Sequence, residues 1–311
     1  MYDWRQQGLF YNQIGPALRA EFGTSVRKVS VDAGMSCPHK KSGGCVFCDD
    51  SSFSPAKRLG LNEKMSITEQ IDEGVNRLRK FDPQPKVIVY FQPSTNTFGS
   101  VDFLESTFRL AIDHPNVIGI AIGTRPDCLP NDVLDLLVKL SNEKWLSLEI
   151  GLQSVHDKSL EFLNRGHNYA CFVDAATRAQ LRNLRLCVHL ILGIPSETAE
   201  DMNETAERIA EFSFHSIKLH NLYVVKNTKL ADLWQSGKIS LPGCEEYVKY
   251  VANFLERTPP ETIIERISAE SRNEFLLAPD WTADKHIARN ALDREFRLRK
   301  TFQGVYAQQR Q

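Results

Sequence analysis

The 311-residue sequence predicts an α/β fold: a partial (β/α)6 barrel of TIM-like form with an α-rich C-terminal extension. Three observations lead there. Strand and helix patterns alternate six times between Val26 and Val225, which calls for a parallel sheet with crossover helices. The strand segments keep apolar residues on one parity and small or polar residues on the other, as in Leu146, Leu148, Ile150 and Leu152 against Ser147, Glu149, Gly151 and Gln153. A doubly wound sheet, covered on both faces, reads apolar on both. The inward parity also lacks the Val, Ile and Leu that fill an ordinary eight-stranded barrel, offering Gly119, Ala121, Gly123 and Arg125 instead. A curved sheet with helices outside and a polar ligand in its lumen satisfies all three.

The elements follow in order. Trp4, Phe10, Ile14 and Leu18 are packing positions of a helical N-terminal extension over residues 1–22. A barrel over 23–225 begins with the predicted strand Val26–Val31. Ser66-Ile-Thr-Glu69 is a capping box that opens a predicted helix, stopped near Phe81 by Pro83 and Pro85. Further strands are predicted at Lys86–Phe91, Val117–Ile122, Trp145–Leu152, Arg185–Leu192 and Ser216–Val225. Helices are predicted between them over 101–113, 130–140, 156–163, 168–182 and 196–212. Beyond Val225 the alternation stops. Helices at 229–237 and 244–257, an extended segment at 262–268 and a charged helix within 281–302 are expected to form an accessory cap over 226–311, against the barrel's open side.

Composition narrows the class. An apolar content of 42% and a charged content of 25% are those of a soluble globular chain. No apolar run is long enough to span a bilayer, and Met1–Phe10 lacks a signal-peptide core, so no membrane association is expected. Seven cysteines, an odd number, point to a reducing compartment, with the cytoplasm as the default. The formal net charge is −1, so no global field attracts nucleic acid. The basic clusters at Arg77–Lys80, Arg178–Arg185 and Arg294–Lys300 read as solvated helix faces.

Chemistry concentrates in one stretch. Cys37, Cys45 and Cys48 lie within twelve residues, directly after the first strand. Gly43 and Gly44 permit the tight positive-φ turns with which a loop wraps a compact object. Three thiolates without a fourth fit a [4Fe–4S] cluster with one iron open to a ligand. A Cys3His zinc site with His39 as fourth ligand is one alternative, and three unrelated buried thiols another. The zinc reading lacks a second Cys-x2-Cys or His pair, since Cys128, Cys171, Cys187 and Cys244 are scattered singly.

Six further runs accompany the cysteines: Tyr90-Phe-Gln-Pro-Ser-Thr-Asn-Thr97, Ile122-Gly-Thr-Arg-Pro-Asp-Cys128, Glu149-Ile-Gly-Leu-Gln-Ser154, Asn164-Arg-Gly-His167, His189-Leu-Ile-Leu-Gly-Ile-Pro195 and Ile217-Lys-Leu-His220. In this order, over about residues 20–285, they resemble the YhcC/YtqA family of radical S-adenosylmethionine (SAM) proteins, a group related to the Elongator catalytic subunit. The resemblance implies a radical SAM barrel whose cofactors are a [4Fe–4S] cluster, held by Cys37, Cys45 and Cys48, and SAM on the open iron. Reductive cleavage of SAM would yield a 5′-deoxyadenosyl radical that abstracts hydrogen from the substrate. Phe47 resembles the aromatic that borders the adenine. Gln92, Thr95 and Asn96, with Ser94, stand where many superfamily members have Gly-Gly-Glu to hold the methionine amine. Glu149 and Gln153 are implied contacts to the SAM ribose or the substrate. Arg125 and Asp127 suit an ion pair or a substrate contact, Arg165 and His167 sit in a turn, and His189, Lys218 and His220 share the inward parity. The seven-residue gap between Cys37 and Cys45 is wider than the superfamily's common three and shorter than in the related proteins.

The implied substrate is a tRNA, at the C5 side chain of its wobble uridine, with carboxymethylaminomethyl converted to aminomethyl. An electron donor such as flavodoxin or ferredoxin is the implied partner. Two other functions fit parts of the pattern: radical oxidation of a small molecule, and a zinc-stabilised RNA-binding module without catalysis.

Overall fold

The computed structural model describes residues 2–49 and 65–307. Helix α1 (Ile14–Phe22) precedes β1 (Val26–Val31). Then come α2 (Ile67–Leu78), β2 (Lys86–Phe91), α3 (Val101–Ile112), β3 (Val117–Thr124), α4 (Asn131–Ser141) and β4 (Trp145–Gln153). Next are α5 (Asp157–Phe162), α6 (Tyr169–Gln180), β5 (Arg185–Leu192), α7 (Ala199–Ala210) and β6 (Ser216–Asn221). Last are β7 (Val224–Val225), α8 (Lys229–Gln235), α9 (Cys244–Arg257), β8 (Ile263–Arg266), β9 (Leu276–Ala278) and α10 (Lys285–Arg299).

The main sheet has seven strands in the order β1-β2-β3-β4-β5-β6-β8, all parallel. It is a curled half-barrel with helices outside. The outward parity forms the main core, in which Phe91, Ile120, Ile122, Leu148 and Ile150 are fully buried with Leu104, Phe108 and Leu134 of the helices. Dry burial of these side chains against the helices is the main stabilising term. Ser66 and Glu69 make the expected capping box on α2, and Thr198 with Asp201 makes a second on α7.

Two expectations change. The sixth strand ends at Asn221 rather than Val225, because β7 leaves the sheet and pairs antiparallel with β9. Leu222, Val224 and Ala278 thereby join Val46, Leu163 and Leu230 in a separate apolar cluster beneath the cysteine loop. The extended segment at 262–268 contributes β8, a seventh strand beside β6, rather than lying in a cap. It satisfies the edge N–H and C=O groups that β6 would otherwise leave open. Helix α9 packs on α7 and α10, on the helical side of the sheet.

One end of the lumen is closed by α1. Leu18 packs among Val26, Ile88, Tyr90 and Ala121, and the backbone at Gln13 bridges to Ile264 of β8. The basic clusters largely resolve into surface ion pairs, including Arg77–Glu73, Arg178–Asp174, Arg182–Asp135 and Arg294–Glu245. Among the described residues, no helix is long and apolar enough to cross a membrane.

Candidate functional site

The cysteine loop leaves the C-terminal end of β1, where a parallel barrel carries its chemistry. A short 3-10 turn at Pro38–Ser42 follows Cys37, and Gly43 and Gly44 reverse the chain at φ values of 99° and 65°. The loop is held from outside by the turn after α5. Val46 N–H donates to Leu163 O (3.1 Å), and Asn164 Nδ2 donates to Gly44 O (2.6 Å). Arg165 Nη1 donates to Cys45 Sγ (3.2 Å) while its Nη2 donates to Gly151 O (2.9 Å). Gly166, at φ 67°, lies so close to the His39 ring that a Cβ there would meet it at 2.5 Å. The Asn164-Arg-Gly-His167 run therefore clamps the loop.

His39 is engaged by the protein itself. Its Nε2 lies 2.6 Å from Asn164 O, and its Nδ1 lies 2.8 Å from Ser42 Oγ. Both ring nitrogens thus already have protein partners, which weighs against the Cys3His alternative.

The other rim residues have distinct surroundings. Phe47 is half-buried on the apolar cluster beneath the loop. Gln92 Oε1 accepts from Ser30 Oγ (3.1 Å). Thr95 is fully buried and its Oγ1 has no partner among the described residues. Asn96 Nδ2 donates to Phe91 O, Pro93 O and Gly123 O, tying the end of β2 to β3. Gln153 sits at the end of β4 with φ 85°, and its amide fills the space left by the absent side chain of Gly151. Arg125 is buried and bidentate on Asp127 (2.9 and 3.0 Å), with Nη1 unpartnered among the described residues. Burial, then the cations of Arg165 and Arg125, push the His167 imidazole down to about 3.

Glu149 lies elsewhere, in the middle of the lumen and about 10 Å short of Gln153 along the strand, which is bulged between Gly151 and Gln153. It is fully buried and accepts from Lys28 Nζ (2.9 Å), His189 Nε2 (2.8 Å) and Lys218 Nζ. Glu265 takes Lys28 Nζ at 2.5 Å and Lys218 Nζ at 3.4 Å. Lys218 Nζ also stands 4.1 Å from the ring centroid of Tyr90. Burial alone would raise the Glu149 carboxyl, but Lys218 and Lys28 outweigh it and hold it well below the usual range. Glu149, Cys187 and His189 bring ligand atoms within 4.8 Å of one another. Two ammonium groups already neutralise the carboxylate, and burial raises the Cys187 thiol well above its ordinary value, so this trio is a charge network rather than a cation site. Lys28, Tyr90 and Glu265 were missed from sequence. The alternation Val26, Lys28, Ser30 on the inward parity of β1 was the available signal.

The rim suits an anionic cluster and a polar, zwitterionic ligand. Among the described residues, the buried atoms Thr95 Oγ1, Arg125 Nη1, Arg165 Nε and His167 Nε2 have no partner. Buried polar atoms of this kind cost stability unless something bonds to them.

Comparison with known proteins agrees. The Radical SAM superfamily matches residues 35–209, and the Radical_SAM C-terminal domain matches 214–297. Protein YhcC of Escherichia coli K12 is 36% identical over 288 residues, 91% of each chain. The tRNA uridine(34) acetyltransferase of Methanocaldococcus jannaschii is 22% identical over 286 residues, which are 80% of this chain and 52% of that one. The solved structure of the archaeal Elp3 of Methanocaldococcus infernus superimposes with a TM-score of 0.71 at 16% identity, over 89% of this chain and 64% of that one, and shares its fold. Members of the superfamily bind a [4Fe–4S] cluster and SAM. With that match over more than half its length and the clamped three-cysteine loop at its barrel mouth, the chain belongs to the radical SAM superfamily, as a YhcC-type SAM-dependent radical enzyme.

Proposed function

We propose that this enzyme modifies tRNA at the C5 side chain of the wobble uridine, converting carboxymethylaminomethyl to aminomethyl. The observation that carries the reading is a basic cleft of about 1260 Å³ along the gap between β1 and β8. Arg27, Lys86, Lys285 and Arg289 line it outside and outnumber Asp82 and Glu270 there, and it runs inward to Tyr90, Gln92, Glu265 and Lys218. In a chain of net charge −1 this cation density is local, and phosphate backbones are drawn to such a surface. The name of one relative, a tRNA uridine(34) acetyltransferase, supports the same substrate class.

Cys37, Cys45 and Cys48 would hold the cluster and Gln92, Thr95, Asn96, Gln153 and Phe47 would surround SAM. Together the two cofactors would supply one-electron cleavage chemistry that takes a hydrogen atom from the carboxymethyl carbon beside nitrogen, whose lone pair stabilises the radical. Return of one electron to the cluster and hydrolysis of the resulting imine would release the two-carbon unit as glyoxylate and leave the aminomethyl group. Arg165 keeps Cys45 in place and offers it positive charge. The lumen network fixes the floor beneath the substrate. A flavodoxin or ferredoxin would deliver the electron. An odd count of seven cysteines suits a reducing cytoplasm.

The test has two parts. Anaerobic reconstitution should give absorbance near about 400 nm and 5′-deoxyadenosine on reduction, both lost in C37A, C45A and C48A. A deletion strain should accumulate carboxymethylaminomethyluridine and lose aminomethyluridine by nucleoside mass spectrometry. Unchanged wobble uridines would remove the tRNA assignment.

A further inference from the structure

We propose that Arg266 and His220 form an anion pocket in the lumen that binds the carboxylate of the substrate side chain and so selects the carboxymethylated uridine. This rests on the wobble-uridine reading for the identity of the ligand, though not for the pocket itself.

The pocket follows from an irregularity in β8. Ile264 pairs with Ile217, but Arg266 pairs with Lys218, so one extra residue is bulged between them. Glu265 and Arg266 consequently both reach the lumen side instead of alternating. Glu265 is consumed by Lys28, Lys218 and the Ser216 hydroxyl (2.8 Å). Arg266 is half-buried and makes no hydrogen bond or ion pair among the described residues. It lines the basic cleft with Lys218, Tyr90 and Gln92, and none of the three clustered cysteines lines that cleft.

Charge bookkeeping says what is missing. Lys28, Lys218 and Arg266 face the carboxylates of Glu149 and Glu265, three cations to two anions. The two imidazoles add nothing: burial lowers both His189 and His220, and the nearby cations lower His220 further. The Arg266 guanidinium faces the cleft, and a monoanion there completes the set. His220 supplies a second contact. Its Nε2 is buried with no partner among the described residues, and its ring lies against that of His189 at 5.5 Å between centroids. Arg266 pairs with Lys218 across the two strands, and His220 lies two residues along from Lys218 on the same face of β6. A guanidinium fork and a neutral imidazole so placed offer donors to the two oxygens of one carboxylate. A backbone phosphodiester is also a monoanion, and the test separates it.

The experiment uses reconstituted holoenzyme with SAM. Binding is measured for 5-carboxymethylaminomethyluridine and 5-aminomethyluridine nucleosides, with N-methylglycine and dimethyl phosphate as competitors. The wild type should prefer the carboxymethylated nucleoside by about tenfold to hundredfold, the range for a charge-assisted contact. Arg266→Gln should abolish that preference and Arg266→Lys should restore part of it, with SAM affinity unchanged in both. Because R266Q removes an unpaired charge, its melting temperature should not fall. Equal binding of the two nucleosides by the wild type would overturn the proposal. So would weaker SAM binding in R266Q, or competition by dimethyl phosphate alone. If N-methylglycine binds the wild type and not R266Q while neither nucleoside binds, the pocket stands and the uridine reading falls.

Discussion

Glu149 shows what a single residue does in this lumen. Its two oxygens accept from two lysines and a histidine with no exposure to solvent. Removing it leaves Lys28 and Lys218 buried with too few negative charges, so Glu149→Gln should destabilise by about 3–5 kcal/mol in chemical denaturation. The pH dependence follows from the same contacts. The carboxyl is depressed well below its ordinary 4.5, against the opposing effect of burial, by Lys218 and Lys28. The unfolded chain then binds the proton first as pH falls. Stability from this group is complete above about pH 4.5 and drains away as pH falls towards the lower, folded value. Denaturation midpoints at pH 6 and pH 3.5 should therefore converge between wild type and E149Q at the lower pH; a constant gap would contradict this.

Between elements, the clamp on the cysteine loop is the decisive contact. Gly166 combines a left-handed φ of 67° with a 2.5 Å approach of its missing Cβ to the His39 ring. Gly166→Ala meets both obstacles, costs roughly 1–2 kcal/mol from the backbone alone and displaces His39. Faster hydrogen exchange across residues 37–49, with α9 unaffected, is the expected signature. Loss of protection spread over the whole sheet would mean the turn supports the fold rather than the loop. The N-caps, the alternation in β1–β5 and the three-cysteine loop could be read directly, because each signal is contained within about a dozen residues. The clamp could not, since Asn164 meets Gly44 across 120 positions of chain.

For the molecule as a whole, the question is how an open barrel stays shut at one end. α1 does this by placing Leu18, 3% exposed, among Val26, Ile88 and Tyr90. Leu18→Ala should cost about 2–5 kcal/mol in urea or thermal unfolding, the range for a large-to-small change in a packed site. A cost below about 1 kcal/mol would show that α1 is a loose appendage. The open side, between β1 and β8, is where the basic cleft enters, so the incomplete closure that costs packing also provides a route to the lumen.

Local periodicity was enough to specify the parallel α/β architecture, the polar inward face and the thiols at the mouth, since each depends on neighbours close in the chain. Packing alone settled the rest: a seventh strand from the C-terminal region, the departure of β7, and the pairing of Lys28 with Glu149 and Glu265. The unmatched Arg266 belongs with these. Whether a buried charge has a partner depends on register between strands dozens to hundreds of residues apart, and no repeat within a single strand encodes that.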